Sequence, residues 1–296
     1  MDSVFFVLLL PILLAVMMMG LGLELTIKDF LRVIRHPKII FVTLFSQLII
    51  LTSIAFLICI VLQLQPVLAV GLMLLAASPG GPTASLFSYI YKGDIALNIS
   101  ITALNTLISI FTLPFILNLS LMYFMDKSST TEIPVIRITQ VFIITVVPVL
   151  FGMLIRAKFK SLSITVNRPM RIFSILFLIF LFIFALFKER LNLITYFESI
   201  GIATIIFCFS SLFIGYCIPL LLGVSDKQAR ACSFEISIHN TAIAMTMAIT
   251  VLGNTMIAVP AGIYTIVMYS FATIFGFIIS RQPRISSTHT KSLSDL

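Results

Sequence analysis

The chain has 296 residues, of which 60% are hydrophobic and only 10% charged, with a net charge of +8. A soluble domain carries about 25% charged residues, so a water-soluble particle is excluded and lipid must be the main solvent. The basic excess sits in short loops between apolar runs, which makes it an orientation signal; no nucleic-acid partner is expected.

A bilayer span takes about 20 apolar residues. Runs of that kind lie at 4–24, 38–63, 67–91, 95–125, 134–156, 169–188, 197–223, 228–252 and 256–280. They must be helices, because lipid leaves no solvent partner for backbone polar groups. Leu, Ile and Phe also run without the alternation of barrel strands, as over 172–187. The expected fold class is an all-α polytopic membrane protein with nine transmembrane helices, one transporter domain over 1–280. Residues 281–296 are polar and Ser/Thr-rich and read as a disordered cytoplasmic tail. The first run shows no obvious signal-peptide cleavage site and reads as a span. The stretch 25–37 reads equally as a short amphipathic helix at the membrane surface or as a solvated loop. Cys59, Cys208, Cys217 and Cys232 lie in apolar or helix-edge stretches without metal or redox spacing, as small packing residues.

Alternate loops collect the positive charge. Lys28, Arg32, Arg35 and Lys38; Lys92; Arg156, Lys158, Lys160, Arg168 and Arg171; Lys227 and Arg230; and Arg281, Arg284 and Lys291 place 15 of the 19 basic residues on one side. Lys127, Arg137, Lys188 and Arg190 occupy the other. Positive charge is retained in the cytoplasm, so the expected topology has the N-terminus outside and the C-terminus inside. An integral membrane protein of a bacterial inner membrane is the expected location.

Two spans are interrupted. The third carries Pro79-Gly80-Gly81-Pro82 at mid-membrane. Proline removes an amide donor and clashes with the preceding turn, and glycine weakens the helix further. The helix should unwind there, and unwound backbone at that depth is tolerated only when buried in protein or lining a cavity. A new half-helix beginning near Pro82 would offer amides and a positive dipole end to an anion. The eighth span holds Glu235, His239 and Asn240, and Glu235 is the only acidic residue well inside any span. An intramembrane carboxylate is expensive and marks a functional site. If the segment is helical, Glu235 and His239 share a face at i and i+4. In the fourth span Asn98, Thr102 and Asn105 recur on one face, extended by Ser109, and read as interhelical glue or as ligands. Gln47 in the second span reads either way.

A carboxylate, amide and hydroxyl oxygens and freed carbonyls form an oxygen-rich set suited to a small hard cation. A cation site beside a half-helix terminus suited to an anion is the pattern of ion-coupled secondary transporters built from inverted repeats. Spans one to four would correspond to spans six to nine in opposite orientation, with the fifth between them. The broken third and eighth spans then become partners, two crossing discontinuous helices.

The chain resembles the bile acid:sodium symporter family. The resemblance rests on GLGLELTIKDFLRVIRHPK at 20–38, LAVGLMLLAASPGGPTASLFSYIYKGDIALNISITALNT at 68–106 and FEISIHNTAIAM at 234–245. It implies a core domain and a panel domain, with two sodium ions bound where the broken helices cross, and a nine-helix form lacking the family's first helix is the expectation. The first sodium site would take Ser85, Asn98, Thr102 and Glu235. The second would take Gln47, Glu235, His239 and the main-chain oxygens of Ile236 and Ile238. Asn240 and the half-helix amides near Pro82 and Thr83 would face the substrate. The chain departs from the family pattern where Pro82, Ala84 and Ser85 replace a threonine, a serine and an asparagine, and where His239 replaces a glutamine. At the first site these departures imply either a loss of oxygen ligands or the use of neighbours such as Thr83. At the second site they imply either a differently held ion or partial coupling to protons.

The expected function is a sodium-coupled symporter of an organic anion working by alternating access. A proton-coupled or exporting carrier of the same fold is the alternative. No cofactor is expected beyond sodium as a co-transported ligand. An intramembrane enzyme is disfavoured because no HExxH, second histidine or acidic cluster completes a metal site around Glu235 and His239.

Overall fold

A computed structural model describes residues 37–81, 83–125, 135–159 and 193–281, with isolated positions within 12–23 and 161–176. Most of the expected first and sixth spans, nearly all of the stretch 25–37, the tail beyond Arg281 and Pro82 itself lie outside the described residues. Every regular element among the described residues is helical.

Helix α1 spans Pro37–Val61 and contains a π-helical stretch, Ser46–Leu51. Helix α2, Pro66–Ala77, is buried along its whole length from Leu68 onward. A helix apolar on every side belongs at the centre, and α2 packs between α4 and α9. It ends at Ser78 in an extended conformation (φ −70°, ψ 144°), as expected of a residue preceding proline. Helix α3 follows at Ala84–Ile90.

Helix α4, Ile95–Phe124, starts at an Asp94 cap whose Oδ1 accepts from Leu97 N at 3.1 Å. It bends by 53° between Ser109 and Phe111. Pro114 lies four residues beyond the bend, and a proline ring inside a helix crowds the carbonyl one turn before it. Helix α5 covers Val135–Lys158 and α6 covers Leu193–Leu221. Helix α6 closes on Gly223, whose φ of +77° permits the left-handed helix stop. Helix α7, Asp226–Ser237, breaks at Ile238–Asn240 and resumes as α8, Thr241–Thr246, which runs into a π-helical turn at Met247–Val251. Helix α9, Thr255–Arg281, completes the described chain.

These bounds follow the expected spans closely, including both interruptions. Among the described residues, three helices are individually long and apolar enough to cross a bilayer: α1, α6 over Ile194–Leu221, and α9. The two arms of α4 together make a fourth. Large apolar side chains such as Phe41, Phe111, Phe115, Ile202, Phe209 and Ile274 face outward, as on a lipid-facing surface. Lipid is as apolar as these side chains, so helix association rests on close packing and internal polar bonds.

The loops expected on one side of the membrane meet at one end of the structure. Lys38 Nζ donates to Leu222 O at 2.6 Å, closing the carboxyl end of α6. Asp94 N donates to Lys227 O at 2.9 Å. Arg230 pairs with Asp226 at 2.7 Å and donates to Tyr91 O at 3.2 Å.

Candidate functional site

The two helix breaks cross and pair with each other. Gly80 and His239 form an isolated antiparallel bridge. Gly81 N donates to Ile238 O at 2.6 Å, and Asn240 N donates to Pro79 O at 2.8 Å. Each break thus supplies the partner that the other's freed backbone requires at membrane depth. Tyr264 of α9 donates its hydroxyl to Ser237 O at 2.7 Å, satisfying a carbonyl at the carboxyl end of α7. At the amino end of α8, Asn240 Oδ1 accepts from Ile243 N at 3.2 Å as a cap.

Two sequence expectations are reshaped by this pairing. Glu235 and His239 do not share a helical face, because the chain leaves the helix at Ile238 (φ −95°, ψ 81°) to pair with Gly80. The amides expected to be free at the breaks are also partly occupied: those of Gly81, Asn240 and Ile243 already have acceptors.

Glu235 sits directly beneath the crossing with no solvent exposure. Its carboxylate lies against Gly80 so closely that a Cβ there would overlap it. Thr102 of α4 donates to Oε2 at 2.5 Å, while Oε1 has no hydrogen-bond partner among the described residues. Asn105, one turn further along α4, turns its amide toward the same carboxylate as a donor. Among the described residues no lysine or arginine pairs with Glu235; the ion pair formed is that of Arg230 and Asp226 at the end of the bundle. An isolated buried carboxylate costs several kcal/mol.

A hydrogen-bond chain runs beside it across both breaks. Asn105 Nδ2 donates to Gln47 Oε1 at 2.8 Å, and Gln47 Nε2 reaches Ser78 O at 3.4 Å. His239 Nδ1 lies 3.1 Å from the same carbonyl. A carbonyl can only accept, so Nδ1 carries the imidazole proton and Nε2 is left as a lone pair. That atom is buried and without a partner. Phe207 stacks on the ring at 5.4 Å between centroids, and Tyr264 meets it edge-on at 5.7 Å. Asn98, also fully buried, donates to Ala231 O at 3.0 Å and leaves its own Oδ1 unmatched.

The structure therefore gathers Gln47, Asn98, Thr102, Glu235, Ile238 and His239 around the crossing, with Ile236 buried on α7 between them. Ser85 lies half-buried in the first turn of α3. Thr83 shares a 3.2 Å hydrogen bond with Tyr269 of α9. Pro82 lies outside the described residues. Sequence reasoning missed the π-helical stretch that presents Gln47, for which no residue pattern was available. It also missed Tyr264 as a partner of Ser237, and it left Asn105 in the polar stripe without joining it to Gln47.

The sequence profile described as the Sodium Bile acid symporter family matches residues 11–197, more than half of the chain. The chain belongs to this family. Its members are sodium-dependent transporters rather than enzymes. Among relatives, the chain is 24% identical over 253 residues to the probable sodium/metabolite cotransporter BASS1 of Arabidopsis thaliana chloroplasts, covering 86% of this chain and 62% of that protein. It is 27% identical over 277 residues to the human ileal sodium/bile acid cotransporter, covering 92% and 78% respectively. It is 22% identical over 259 residues to the uncharacterized sodium-dependent transporter YocS of Bacillus subtilis, covering 87% and 78%. The chain spans under two thirds of the length of the Arabidopsis protein and of several other relatives. Within the symporter family frame, the match takes in the first break and the whole polar face of α4, and the second break lies beyond it.

Proposed function

We propose that the chain is a sodium-coupled symporter of an organic anion, working by alternating access around the crossing of its two broken helices. The observation that carries this reading is the environment of Glu235. One carboxylate oxygen is buried with no donor, and it is accompanied by unmatched buried oxygens of Asn98 and Asn105. Buried polar atoms are nearly always satisfied; acceptors gathered without donors suit a hard cation that prefers oxygen ligands. Sodium at Glu235 would neutralise the carboxylate and hold the two breaks together. The organic anion would then bind beside Thr83 and Asn240, with Pro82 completing that face. Ser85, Gln47, His239 and the carbonyls of Ile236 and Ile238 are the remaining candidate sodium ligands.

The layout in this reading is nine spans in two inverted units, within one transporter domain over 1–280, the N-terminus outside and the C-terminus in the cytoplasm of a bacterial cell. The antiparallel pairing of Gly80 with His239 supports opposite orientations for the two broken spans. The test is uptake of a panel of organic anions into vesicles containing the purified protein. Uptake should depend on an inward sodium gradient and be lost in Glu235→Ala. Gradient-independent uptake, with unchanged ligand binding by Glu235→Ala, would sink this reading.

One observation favours a second reading, coupling to protons. The unmatched Nε2 lone pair of His239 is a proton acceptor inside the site. Driving uptake with a pH gradient in the absence of sodium, in wild type and in His239→Gln, separates the two.

A further inference from the structure

Arg230 is the one buried lysine or arginine among the described residues, with 5% of its surface exposed. Taking a guanidinium out of water is expensive unless fixed partners compensate it. Two of its nitrogens serve different helices. Nη2 pairs with Asp226 Oδ2 at 2.7 Å, one turn back on α7. Nη1 donates at 3.2 Å to the carbonyl of Tyr91, the residue that closes α3. Asp226 is steadied in turn by the Tyr216 hydroxyl of α6, which donates to Oδ1 at 2.6 Å. Carbonyls at the carboxyl end of a helix lack intrahelical donors, and a cation there suits the negative end of the helix dipole. Arg230 therefore caps α3 from α7.

The same end is gripped again by neighbouring groups. Asp94 N donates to Lys227 O at 2.9 Å. The Tyr91 ring stacks on Phe234 with centroids 5.6 Å apart, and it covers Gly276 of α9 so closely that a Cβ there would overlap it. Lys92 follows at φ +59°, a left-handed conformation that a non-glycine residue adopts at some cost. At the opposite end, Gly81 N donates to Ile238 O across the crossing. The segments carrying α3 and α7 are thus tied together at both ends. Glu235 lies between the ties, five residues beyond Arg230, or about 7.5 Å along the helix. Its carboxylate touches Gly80 without slack, so any slide of α7 against α3 would displace it.

We propose that Arg230 is a positioning residue for the cation site: by clamping the carboxyl end of α3 to α7, it sets the register that holds Glu235 beneath the crossing. The inference rests on the sodium-coupled reading and adds to it a residue outside the candidate ligand set. Its action is carried by the α7 helix. Tyr216 provides the contrast, since it braces Asp226 and makes no bond to α3 in this network. Loss of its hydroxyl loosens the network and leaves the Arg230–Tyr91 bond in place.

The experiment is sodium titration of the purified full chain, followed by its thermal unfolding midpoint, with potassium as the ionic-strength control. Wild type, Glu235→Gln, Arg230→Met, Arg230→Lys and Tyr216→Phe are compared. Wild type should be stabilised by sodium and not by potassium, and Glu235→Gln should lose that response. Arg230→Met keeps much of the apolar stem and removes the clamp. It should raise the half-saturating sodium concentration about tenfold or more, the worth of a hydrogen bond to a charged group, with sodium still preferred over potassium. Tyr216→Phe should lower the unfolding midpoint and hold half-saturation within about twofold of wild type. An Arg230→Met protein with a lowered midpoint and wild-type half-saturation would overturn the positioning role and leave Arg230 as a stabilising residue only. Equal weakening of sodium binding in Tyr216→Phe and Arg230→Met would also overturn it, because general loosening would then explain both. If wild type shows no sodium response, the sodium-coupled reading fails and takes this inference with it. Should Arg230→Met not yield monodisperse protein, Arg230→Lys decides, because one ammonium replaces the two nitrogens that serve Asp226 and Tyr91 separately. A half-saturation raised about threefold or more in Arg230→Lys supports the clamp, and an unchanged one overturns it.

Discussion

Replacing Gly80 with alanine probes the tightest contact at the crossing. Gly80 is absent from the left-handed conformations, which among the described glycines belong to Gly223 and Gly253, so alanine meets no backbone obstacle there. The obstacle is space. A Cβ at position 80 overlaps Oε1 and Cδ of Glu235 and comes within 2.9 Å of Oε2. The carboxylate has little room to retreat, since Thr102 holds Oε2 and the α7 break is pinned by the Gly81–Ile238 hydrogen bond. Overpacking of a closed site costs about 1–3 kcal/mol. A hydrogen bond to a charged group is worth about 1.5–3 kcal/mol. If relaxation recovers half of the combined cost, about 1.3–3 kcal/mol is lost from the ion-binding geometry, or roughly an 8- to 140-fold weaker sodium affinity at about 1.4 kcal/mol per decade. Sodium-titrated thermal unfolding reads this directly, and uptake at low sodium should fall in parallel. A Gly80→Ala protein with wild-type half-saturation would refute the placement of Glu235 beneath the crossing.

Other substitutions isolate single contacts. Thr102→Val keeps the side-chain shape and removes the hydrogen bond from Thr102 to Glu235 Oε2, so sodium half-saturation should rise about tenfold, the low end of a charge-assisted bond, as measured by the same titration. Tyr264→Phe strips the donor from Ser237 O and should lower the unfolding midpoint by the equivalent of about 1–3 kcal/mol while leaving the preference for sodium over potassium intact. Asp94→Ala removes the α4 cap and should cost about 1 kcal/mol, seen as faster amide exchange at Leu97 with unchanged sodium affinity.

Much of the fold was legible in the sequence because lipid leaves few alternatives. Pro66, Pro79 and the Lys92–Asp94 turn punctuate the apolar runs at the places where the helices stop and start. The first break could be read from Pro79-Gly80-Gly81, since proline and glycine act through local backbone chemistry. The π-helical stretch at Ser46–Leu51 could not, because nothing in SQLIIL distinguishes it from ordinary helix. The bend of α4 at Ser109–Phe111 went unread, although Pro114 stands one turn beyond it.

The candidate site divides in the same way. By itself, the sequence determined that Glu235 is a carboxylate inside a span and that Asn98, Thr102 and Asn105 share a helical face. Both follow from hydropathy and a 3.6-residue period, which are local properties. The second break has no proline or glycine between Glu235 and Asn240; it exists because Ile238 O and Asn240 N find partners in Gly81 and Pro79, far away in the chain. Only the tertiary structure could decide that His239 leaves the helix, that Gln47 answers Asn105, and that the carboxylate rests on Gly80. Each of those depends on which backbone groups remain unpaired once two distant segments meet, and a hydrogen bond between them has no signature in either segment alone.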